Sequence, residues 1–467
     1  MHFTFFSNDP MSSWIEVRWE IPINHATSFE IQWPAWRPGR YELQNFSQQV
    51  GKVWLEDTPG NLTKISKDRW FISNLQPGPV IIRYRYYARE INAGSSFIGP
   101  DFWYLNPINC TPYIPERRSE PIMVFFPGTS HCQYAGGLPA KKMEDGWVLE
   151  AQDYDHWVDS PLLLSPTLQH QTYLVQDIPF TLWVEGNYTP NWDRLIPEFK
   201  AFTEHQVELF GTFPESQYHF LLWVVDFPFY HGVEHRNSTM MVLGPPDQDP
   251  EEFRRDVLGL ASHELFHTWN VCKIRPKELR PYDYSQENYF NTCFIAEGVT
   301  TYYGDEMLRR SGVFSEKEYR QELETICRRH FETAEPAEIS LLDSSLDLWV
   351  DGYKKGVPHR KVSVYHKGAL VAMLLDQLIL EKSQGTASLD TVMQDLWKQF
   401  GTTEIGYTYL DYQTIVEHYV GEEATIDYFN RWISGTENLW EAWQWVLEKK
   451  GYPAMVKNQE GRISWGE

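Results

Sequence analysis

The stretch that decides the fold reads SHELFHTWN, residues 262–270, and lies in a run whose apolar spacing predicts a helix over residues 251–271. Its two histidines, His263 and His267, are four residues apart, so both imidazoles lie on one helix face and can reach one ion. Glu264 projects beside that face, where it can touch a water on the ion. Zinc favours such imidazole ligands, and a catalytic zinc keeps one coordination position open for water. The stretch therefore predicts a hydrolytic zinc site with Glu264 as general base.

A third ligand is needed from downstream of the two histidines. The acidic candidates are Glu278, Asp283, Glu287, Glu297 and Asp305. Glu297 is favoured because it is embedded in apolar helical sequence, where a carboxylate is costly unless it is paired or bound to a cation. A partly exposed helix residue or a buried ion pair is the alternative explanation for Glu297. Thr301, one helical turn later, is a candidate for a hydrogen bond to a ligand.

A second motif, YHKGAL at residues 365–370, opens a long apolar helix. A tyrosine hydroxyl near a zinc ion can donate to the oxyanion of a tetrahedral intermediate, so Tyr365 is a candidate for that role. Tyrosines at helix starts also serve as packing or hydrogen-bonded core residues. The motif taken alone leaves that alternative open.

The composition is that of a folded protein, with 42% hydrophobic and 22% charged residues in a chain of 467. With 41 basic and 64 acidic residues, the formal net charge is −23, which disfavours binding to nucleic acid or to an anionic membrane. The five cysteines are widely spaced, so neither a disulfide framework nor a cysteine zinc finger is expected. Neither a signal sequence nor a membrane-spanning apolar run is visible, and a soluble cytoplasmic protein is expected.

The periodicity of the sequence changes along the chain. Up to about residue 170, apolar and polar residues alternate, as in WIEVRWEI at residues 14–21. This alternation predicts an antiparallel β-domain with one solvated face. The following part mixes strands with helices, among them a helix over residues 192–210 and another over residues 291–310.

Helical periodicity dominates after Gly312. Ser315 and Glu318 have the spacing of a capping box at the start of the first of these helices. The expected fold is therefore an α+β multidomain chain. Three domains are expected. They are an N-terminal antiparallel β-domain (residues 1–170), a mixed α/β domain with the HExxH helix (171–312) and a C-terminal helical domain that contributes Tyr365 (313–467).

Several segments together resemble the glycyl aminopeptidase family of metallopeptidases, which belongs to the gluzincin group. They are HELFHTWN with KIRP (residues 263–276), AEGVTTYYGD (296–305), YHKGAL (365–370) and PAWRPGRYELQNF (34–46). The last resembles part of that family's N-terminal domain, and the others resemble its catalytic part. The HExxH pattern alone indicates only the broad zincin group, whereas the combination is specific. The resemblance implies a thermolysin-like catalytic domain.

The resemblance also implies a role for each site residue. His263, His267 and Glu297 are expected to bind one Zn2+ per chain. Glu264 is expected to act as general base, and Tyr365 to stabilise the oxyanion.

A further segment, HGVEHRNS at residues 231–238, resembles the Gly-rich loop that lines the substrate cleft of related aminopeptidases. In those enzymes the glutamate anchors the free α-amine and the glycine permits close approach of the backbone. The resemblance therefore implies substrate binding by Gly232, Val233 and Glu234. His231 stands where glycine is expected, which is a departure from the pattern. A C-terminal PDZ domain is common in the family, but no carboxylate-binding loop follows Tyr407, and no such domain is expected.

The sequence is thus interpreted as that of a zinc-dependent aminopeptidase, with a preference for small N-terminal residues such as Gly or Ala implied by the family. Its expected partners are peptides with a free N-terminus, and neither nucleic acid nor a membrane. Two alternatives remain open. One is a zinc endopeptidase with the same ligands in an open cleft, and the other is a catalytically inactive binding protein with the peptidase fold.

Overall fold

The computed structural model describes residues 1–247 and 249–466. Its elements follow the predicted order, with a β-rich part first, a mixed α/β part next and a helical part last. The chain forms two compact units. Unit 1 comprises Met1–Trp192, Glu215–Val257 and Tyr284–Glu287, and unit 2 comprises Asp193–Pro214, Leu258–Asp283 and the chain from Asn288 onward. The three-domain boundaries near residues 170 and 312 stay predictions.

Unit 1 begins with strands that form three sheets. The strands are β1 (His2–Phe6), β2 (Trp14–Ile23), β3 (Thr27–Gln32), β4 (Val50–Leu55), β5 (Asn61–Lys64), β6 (Arg69–Leu75), β7 (Gly78–Tyr87), β8 (Phe97–Ile98), β9 (Trp103–Leu105), β10 (Ile122–Pro127), β11 (Gln133–Gly136), β12 (Ala140–Lys142), β13 (Gly146–Ala151) and β14 (Leu162–Ser165). Short α-helices interrupt them at α1 (Pro107–Cys110) and α2 (Tyr154–Val158). The strand orders are β12-β13-β10-β1-β2-β7-β4, β11-β14-β9-β8 and β3-β6-β5.

The alternation in residues 14–21 appears in β2 as alternating buried and partly exposed side chains, with Ile15, Val17 and Trp19 fully buried. This is the pattern of a strand with one face on a core. The predicted antiparallel β-domain is confirmed with one exception, because β1 and β10 are parallel. These two strands are far apart in the sequence, so no hairpin turn forces them to run in opposite directions.

A fourth sheet completes unit 1. Its strands are β15 (Gln169–Val175), β16 (Ile178–Glu185), β17 (Tyr218–Val224), β18 (Phe229–His235) and β19 (Ser238–Gly244), in the order β15-β16-β17-β19-β18. The central strands β16, β17 and β19 are parallel, and the edge strands β15 and β18 are antiparallel to their neighbours. Buried side chains of β17, β18 and β19 share a core with those of β9, β11 and β14, and Val233 of β18 is one of them.

The predicted loop at residues 231–238 is instead a β-hairpin. Its first half lies in β18, its last residue begins β19, and Arg236 and Asn237 form the turn between them. The interpretation as a loop came from the resemblance and is wrong, because His231 and Glu234 pair with Val242 and Thr239 of β19. Both side chains belong to a strand at the edge of its sheet, where polar residues are common.

Unit 2 is helical and contains most of α3 (Trp192–Phe210) and the second half of α4 (Pro250–Phe266). The remaining helices are α5 (Thr300–Arg310), α6 (Glu316–Phe331), α7 (Leu341–Leu346), α8 (Leu348–Asp351), α9 (His366–Lys382), α10 (Leu389–Leu396), α11 (Tyr409–Val420), α12 (Glu422–Tyr428) and α13 (Trp440–Lys449). In the part of the chain that the structure describes, π-helical segments lie between these helices at Phe294–Val299, Trp397–Gly401 and Phe429–Ile433. Strand β20 (Met455–Lys457) pairs with β21 (Ile463–Trp465).

Two predictions made for these helices are confirmed. Helix α3 has the predicted bounds, and Ser315 and Glu318 form the capping box of α6. Across residues 1–247 and 249–466, none of the helices has both the length and the apolar character needed to cross a membrane.

Candidate metal centre and active site

Helix α4 ends at Phe266, five residues before its predicted end, and this early end shapes the site. Beyond it the backbone folds into tight turns, in which Thr268 N–H donates to the carbonyl of Leu265 and Cys272 N–H to that of His267, both at 3.0 Å. The turns bring the carbonyl of Asn270 back to 2.9 Å from Nδ1 of His267. A helix continuing to Val271 would carry that carbonyl away from the imidazole.

The Asn270 carbonyl fixes the protonation of the second histidine. Because Nδ1 of His267 donates to this carbonyl, the other ring nitrogen of the neutral imidazole, Nε2, carries a lone pair. The side chain of His267 is almost fully buried, and that of His263 is 19% exposed. Burial and the neighbouring His267 lower the pKa of His263 well below its ordinary value, so the imidazole of His263 is neutral at neutral pH and can offer a lone pair to a metal ion.

Glu297 lies on a π-helical turn, Phe294–Val299, that runs directly into α5. The predicted helix over residues 291–310 therefore exists in two parts with different hydrogen-bond patterns. Glu297 is 3% exposed, so its carboxylate is buried, as its apolar neighbours predict. Single π-turns inside helices are often found at functional sites, where they change the direction of one side chain.

The three predicted ligands meet in the structure. Nε2 of His263, Nε2 of His267 and Oε2 of Glu297 form a triangle. The two nitrogens are 3.1 Å apart, and the oxygen lies 3.9 Å from that of His263 and 3.4 Å from that of His267. The centre of such a triangle is about 2 Å from each atom, and zinc bonds to nitrogen and oxygen are about 2.0–2.2 Å long. Three lone-pair atoms so close together repel one another unless a cation lies between them. Two histidines and a glutamate are also a ligand set that catalytic zinc uses.

Asn270, which was missed from the sequence, connects the two segments that carry these ligands. Its side-chain nitrogen donates to the carbonyl of Ile295 at 2.8 Å and to Oγ1 of Thr300 at 2.9 Å, next to Glu297 along the chain. Its backbone carbonyl holds His267. Asn270 therefore orients the imidazole of His267 and stabilises the π-turn through hydrogen bonds. Thr301 donates to the backbone carbonyl of Glu297 at 2.8 Å, not to a ligand side chain.

Glu264 lies next to the three ligands. Its side chain is buried, at 4% exposure, and one carboxylate oxygen lies within 4.8 Å of a ring nitrogen of His267. This position follows from the sequence, because the residue after His263 on a helix projects beside the face of the histidines. A carboxylate there is close enough to reach a water held by the same ion.

Tyr365 occupies the N-cap position of α9, as predicted. Burial raises the pKa of its hydroxyl well above the ordinary value, and the negative charge of Glu297 and a hydrogen bond with Tyr353 raise it further. The phenol is therefore protonated at neutral pH and can donate a hydrogen bond.

A contact between two glycines brings Tyr365 and Glu297 together. A Cβ on Gly298 would lie 2.5 Å from Cα of Gly368, and a Cβ on Gly368 would lie 2.7 Å from Cα of Gly298. The π-turn and the first turn of α9 thus touch backbone to backbone. Gly298 follows Glu297 directly, and Gly368 lies three residues after Tyr365. The close backbone contact explains why both the AEGVTT and YHKGAL motifs contain a glycine.

Replacing Gly298 by alanine is expected to disrupt this contact. The nearest atoms to the new Cβ belong to the backbone of Gly368 and to the carbonyl of Val364, which cannot move without displacing α9. We expect a loss of about 1–3 kcal/mol in the free energy of unfolding, together with a lower kcat, measured by urea unfolding and steady-state kinetics. The matched control is Gly259→Ala in α4, where a Cβ meets no atom within 4 Å. Equal effects of the two substitutions would contradict the importance of the contact.

Glu234, Gly232 and Val233 belong to unit 1 and lie in β18. The side chain of Val233 is 1% exposed and belongs to the core shared by the sheets. Side chains alternate along a strand, and Glu234 accordingly lies on the face opposite to that of Val233. Its carboxylate is largely buried, with the residue 8% exposed.

His231, the residue that departs from the family pattern, has a structural contact. Its Nδ1 accepts a hydrogen bond from the backbone N–H of Ala93 at 3.2 Å. Burial, together with the positive charges of Arg37 and Arg40, lowers its pKa to about 3. The imidazole is therefore neutral at physiological pH and adds no positive charge to this strand.

Two family models match the chain. The model described as M61 glycyl aminopeptidase matches residues 256–371, which contain both histidines, Glu264, Glu297 and Tyr365. The model described as the peptidase M61 N-terminal domain matches residues 2–166. A comparison with curated proteins finds no match.

Solved structures with the same fold include three peptidases. An aminopeptidase N family protein from Idiomarina loihiensis has a TM-score of 0.88 at 26% identity, over 95% of this chain and 78% of its own. An M1 zinc metallopeptidase mutant from Deinococcus radiodurans, bound to a Tyr-Ser-Ala substrate, has a TM-score of 0.54 at 12% identity over 94% of both chains. Legionella pneumophila aminopeptidase A, in complex with aspartic acid, has a TM-score of 0.53 at 14% identity, over 93% of this chain and 49% of its own. The last two are similar in fold alone.

Proposed function

The chain belongs to the M61 glycyl aminopeptidase family of peptidases, and from this premise we propose that it is a zinc-dependent aminopeptidase acting on peptides with a free N-terminus. The observation that carries the proposal is the convergence of His263, His267 and Glu297. Two imidazoles and one carboxylate leave a fourth coordination position for water or substrate, as catalytic zinc requires.

In this proposal the two imidazoles and the carboxylate of Glu297 hold one zinc ion per chain. Zinc bound there supplies Lewis acidity, which acidifies water and polarises the carbonyl of the scissile peptide bond. The chain supplies the remaining parts of the reaction. Asn270 keeps Nε2 of His267 free of a proton, because its carbonyl accepts the hydrogen bond of Nδ1.

Glu264 is proposed to move the proton. Its carboxylate takes a proton from the attacking water and later delivers it to the nitrogen of the departing amine, so the carboxylate returns to its ionised form. Its burial beside His267 supports this role, because a carboxylate shielded from bulk water transfers the proton to the substrate instead of to solvent.

Tyr365 is proposed to stabilise the oxyanion. Its hydroxyl keeps its proton at neutral pH, since burial and the charge of Glu297 raise its pKa, and it can therefore donate to the oxygen on which negative charge develops. A hydrogen bond of this kind is stronger in the transition state than in the ground state, so it accelerates the chemical step.

Glu234 is proposed to bind the α-ammonium group of the substrate, with backbone contacts from Gly232 and Val233. A buried carboxylate and an ammonium group form a charge-assisted hydrogen bond, which selects for a free N-terminus. A preference for Gly or Ala as the first residue completes the proposal, and the resemblance to glycyl aminopeptidases supports it.

Replacing Tyr365 by phenylalanine is expected to lower kcat by about 100- to 1,000-fold and to change KM little, because the lost hydrogen bond acts in the transition state. Steady-state kinetics on an alanine coumarin amide measure both parameters. The control is Tyr428→Phe in α12. It removes a hydroxyl that donates to the carbonyl of Val371 at 3.0 Å, and Val371 lies in α9, the helix that Tyr365 caps. A rise in KM alone for Tyr365→Phe would assign Tyr365 to substrate binding instead.

The experiment that tests the proposed function compares three substrates of the zinc-loaded protein. They are glycine or alanine coumarin amides, the same amides with an acetylated N-terminus, and an internally quenched, N-acetylated peptide. We expect turnover of the free amides and none of the blocked substrates. Cleavage of the quenched peptide would instead indicate an endopeptidase, and no turnover of any substrate would indicate a non-catalytic binding protein.

A further inference from the structure

Gly39, in the N-terminal segment PAWRPGRYELQNF, lies directly against the carboxylate of Glu234. Its φ angle is +75°, in the left-handed region that favours glycine. A Cβ at this position would lie 2.5 Å from Oε2 of Glu234 and 2.9 Å from Oε1. The segment and β18 both belong to unit 1, and the two sequence motifs thus meet at one carboxylate.

The segment that carries Gly39 is anchored by backbone hydrogen bonds on both sides of this residue, which oppose its withdrawal from the contact. Ala35 N–H donates to the carbonyl of Tyr284, and Asn45 N–H donates to the carbonyl of Ala35, both at 2.7 Å. Arg37, on the same segment, is 1% exposed. In contrast, the carboxylate of Glu234 is the end of a side chain with several rotatable bonds. A methyl group on residue 39 would therefore move the carboxylate and not the backbone.

We propose that Gly39 is a positioning residue for the substrate's N-terminus, because it leaves the space in which the Glu234 carboxylate is held to receive an α-ammonium group. The inference rests on the proposed function of Glu234. It extends that function to the N-terminal β-domain, which supplies one wall of the ammonium subsite and fixes the position of its charge. A carboxylate displaced by about 1 Å loses much of its value for orienting a substrate.

The test measures KM and kcat of Gly39→Ala, Gly128→Ala, Glu234→Ala and the double variant Gly39→Ala/Glu234→Ala on alanine coumarin amide. Gly128 is the matched control, since its φ is also +75° but a Cβ there meets no atom within 4 Å. Both variants place an alanine at the same φ angle, and thermal unfolding of each shows whether the resulting backbone strain costs the same stability.

We expect kcat/KM of Gly39→Ala to fall by about 10- to 100-fold, mainly through KM, while Gly128→Ala keeps the wild-type value. In the double variant the alanine has no carboxylate to displace, so its kinetics should equal those of Glu234→Ala. Equal kinetics of the two glycine variants, or additive losses in the double variant, would overturn the inference and leave the role of Glu234 intact. Wild-type kinetics of Glu234→Ala would overturn that role itself, and the inference with it.

Discussion

Replacing Glu264 by glutamine is expected to lower kcat by about 100- to 10,000-fold, the range that general acid–base catalysis contributes. Glutamine keeps the size and hydrogen-bonding capacity of the side chain but cannot take a proton from water. The three ligand side chains are unchanged, so zinc content measured by elemental analysis should stay at the wild-type value. Steady-state kinetics and metal analysis on the same preparation separate the two effects.

Glu252→Gln is the matched control for this substitution. Glu252 lies in the first turn of the same helix α4 and is exposed. Its replacement by glutamine should leave both kcat and zinc content unchanged. Wild-type turnover of the Glu264→Gln variant would remove Glu264 from the reaction. Loss of zinc along with activity would instead make Glu264 part of the metal site.

Replacing Glu297 by alanine is expected to abolish zinc binding at ordinary metal concentrations and, with it, all peptidase activity. The substitution removes one of three ligand atoms and leaves the Nε2 atoms of His263 and His267, 3.1 Å apart, without a charge to balance a dication. Even the loss of a hydrogen bond to a ligand costs 10- to 100-fold in affinity, so the loss of a ligand should cost more than about 100-fold. A competition titration with a zinc chelator measures the affinity.

The control for Glu297→Ala is Glu306→Ala, which removes a second carboxylate that is buried in the adjoining helix. Glu306 is 4% exposed and pairs with Arg309 and Arg310, so its loss should destabilise the fold while leaving the zinc affinity of the folded protein near the wild-type value. Equal zinc affinity of the Glu297→Ala variant and the wild type would contradict the ligand assignment.

The parts of the fold with a strong period were predictable from the sequence. The alternation in β2 and the apolar spacing of α3 reflect one buried face each, and local sequence is enough to recognise such faces. Helix α9 is buried on nearly all sides from Lys367 to Gln377, and its continuous apolar sequence predicts it as a long apolar helix. The parallel pairing of β1 with β10 was not predictable, because it joins segments more than a hundred residues apart. The hairpin containing Glu234 was missed because the resemblance implied a loop there, and the pairing of β18 with β19 is seen only in the folded chain.

The part of the site that was predictable consists of side chains whose spacing in the sequence determines their relative positions. His263, His267 and Glu264 follow from one helix, and Glu297 follows from the cost of burying a carboxylate in apolar sequence. Asn270 was missed since its role depends on a helix that ends at Phe266, and no local pattern marks that end. The contact of Gly298 with Gly368 depends on two helical segments crossing, which only the folded chain reveals.

Anomalous X-ray scattering at the zinc edge from crystals of the zinc-loaded protein, combined with the zinc-to-chain ratio in solution, tests the metal centre itself. We expect one zinc per chain and one anomalous peak between Nε2 of His263, Nε2 of His267 and Oε2 of Glu297. A well-folded protein that binds no zinc, or a peak at a site without these three atoms, would contradict this expectation.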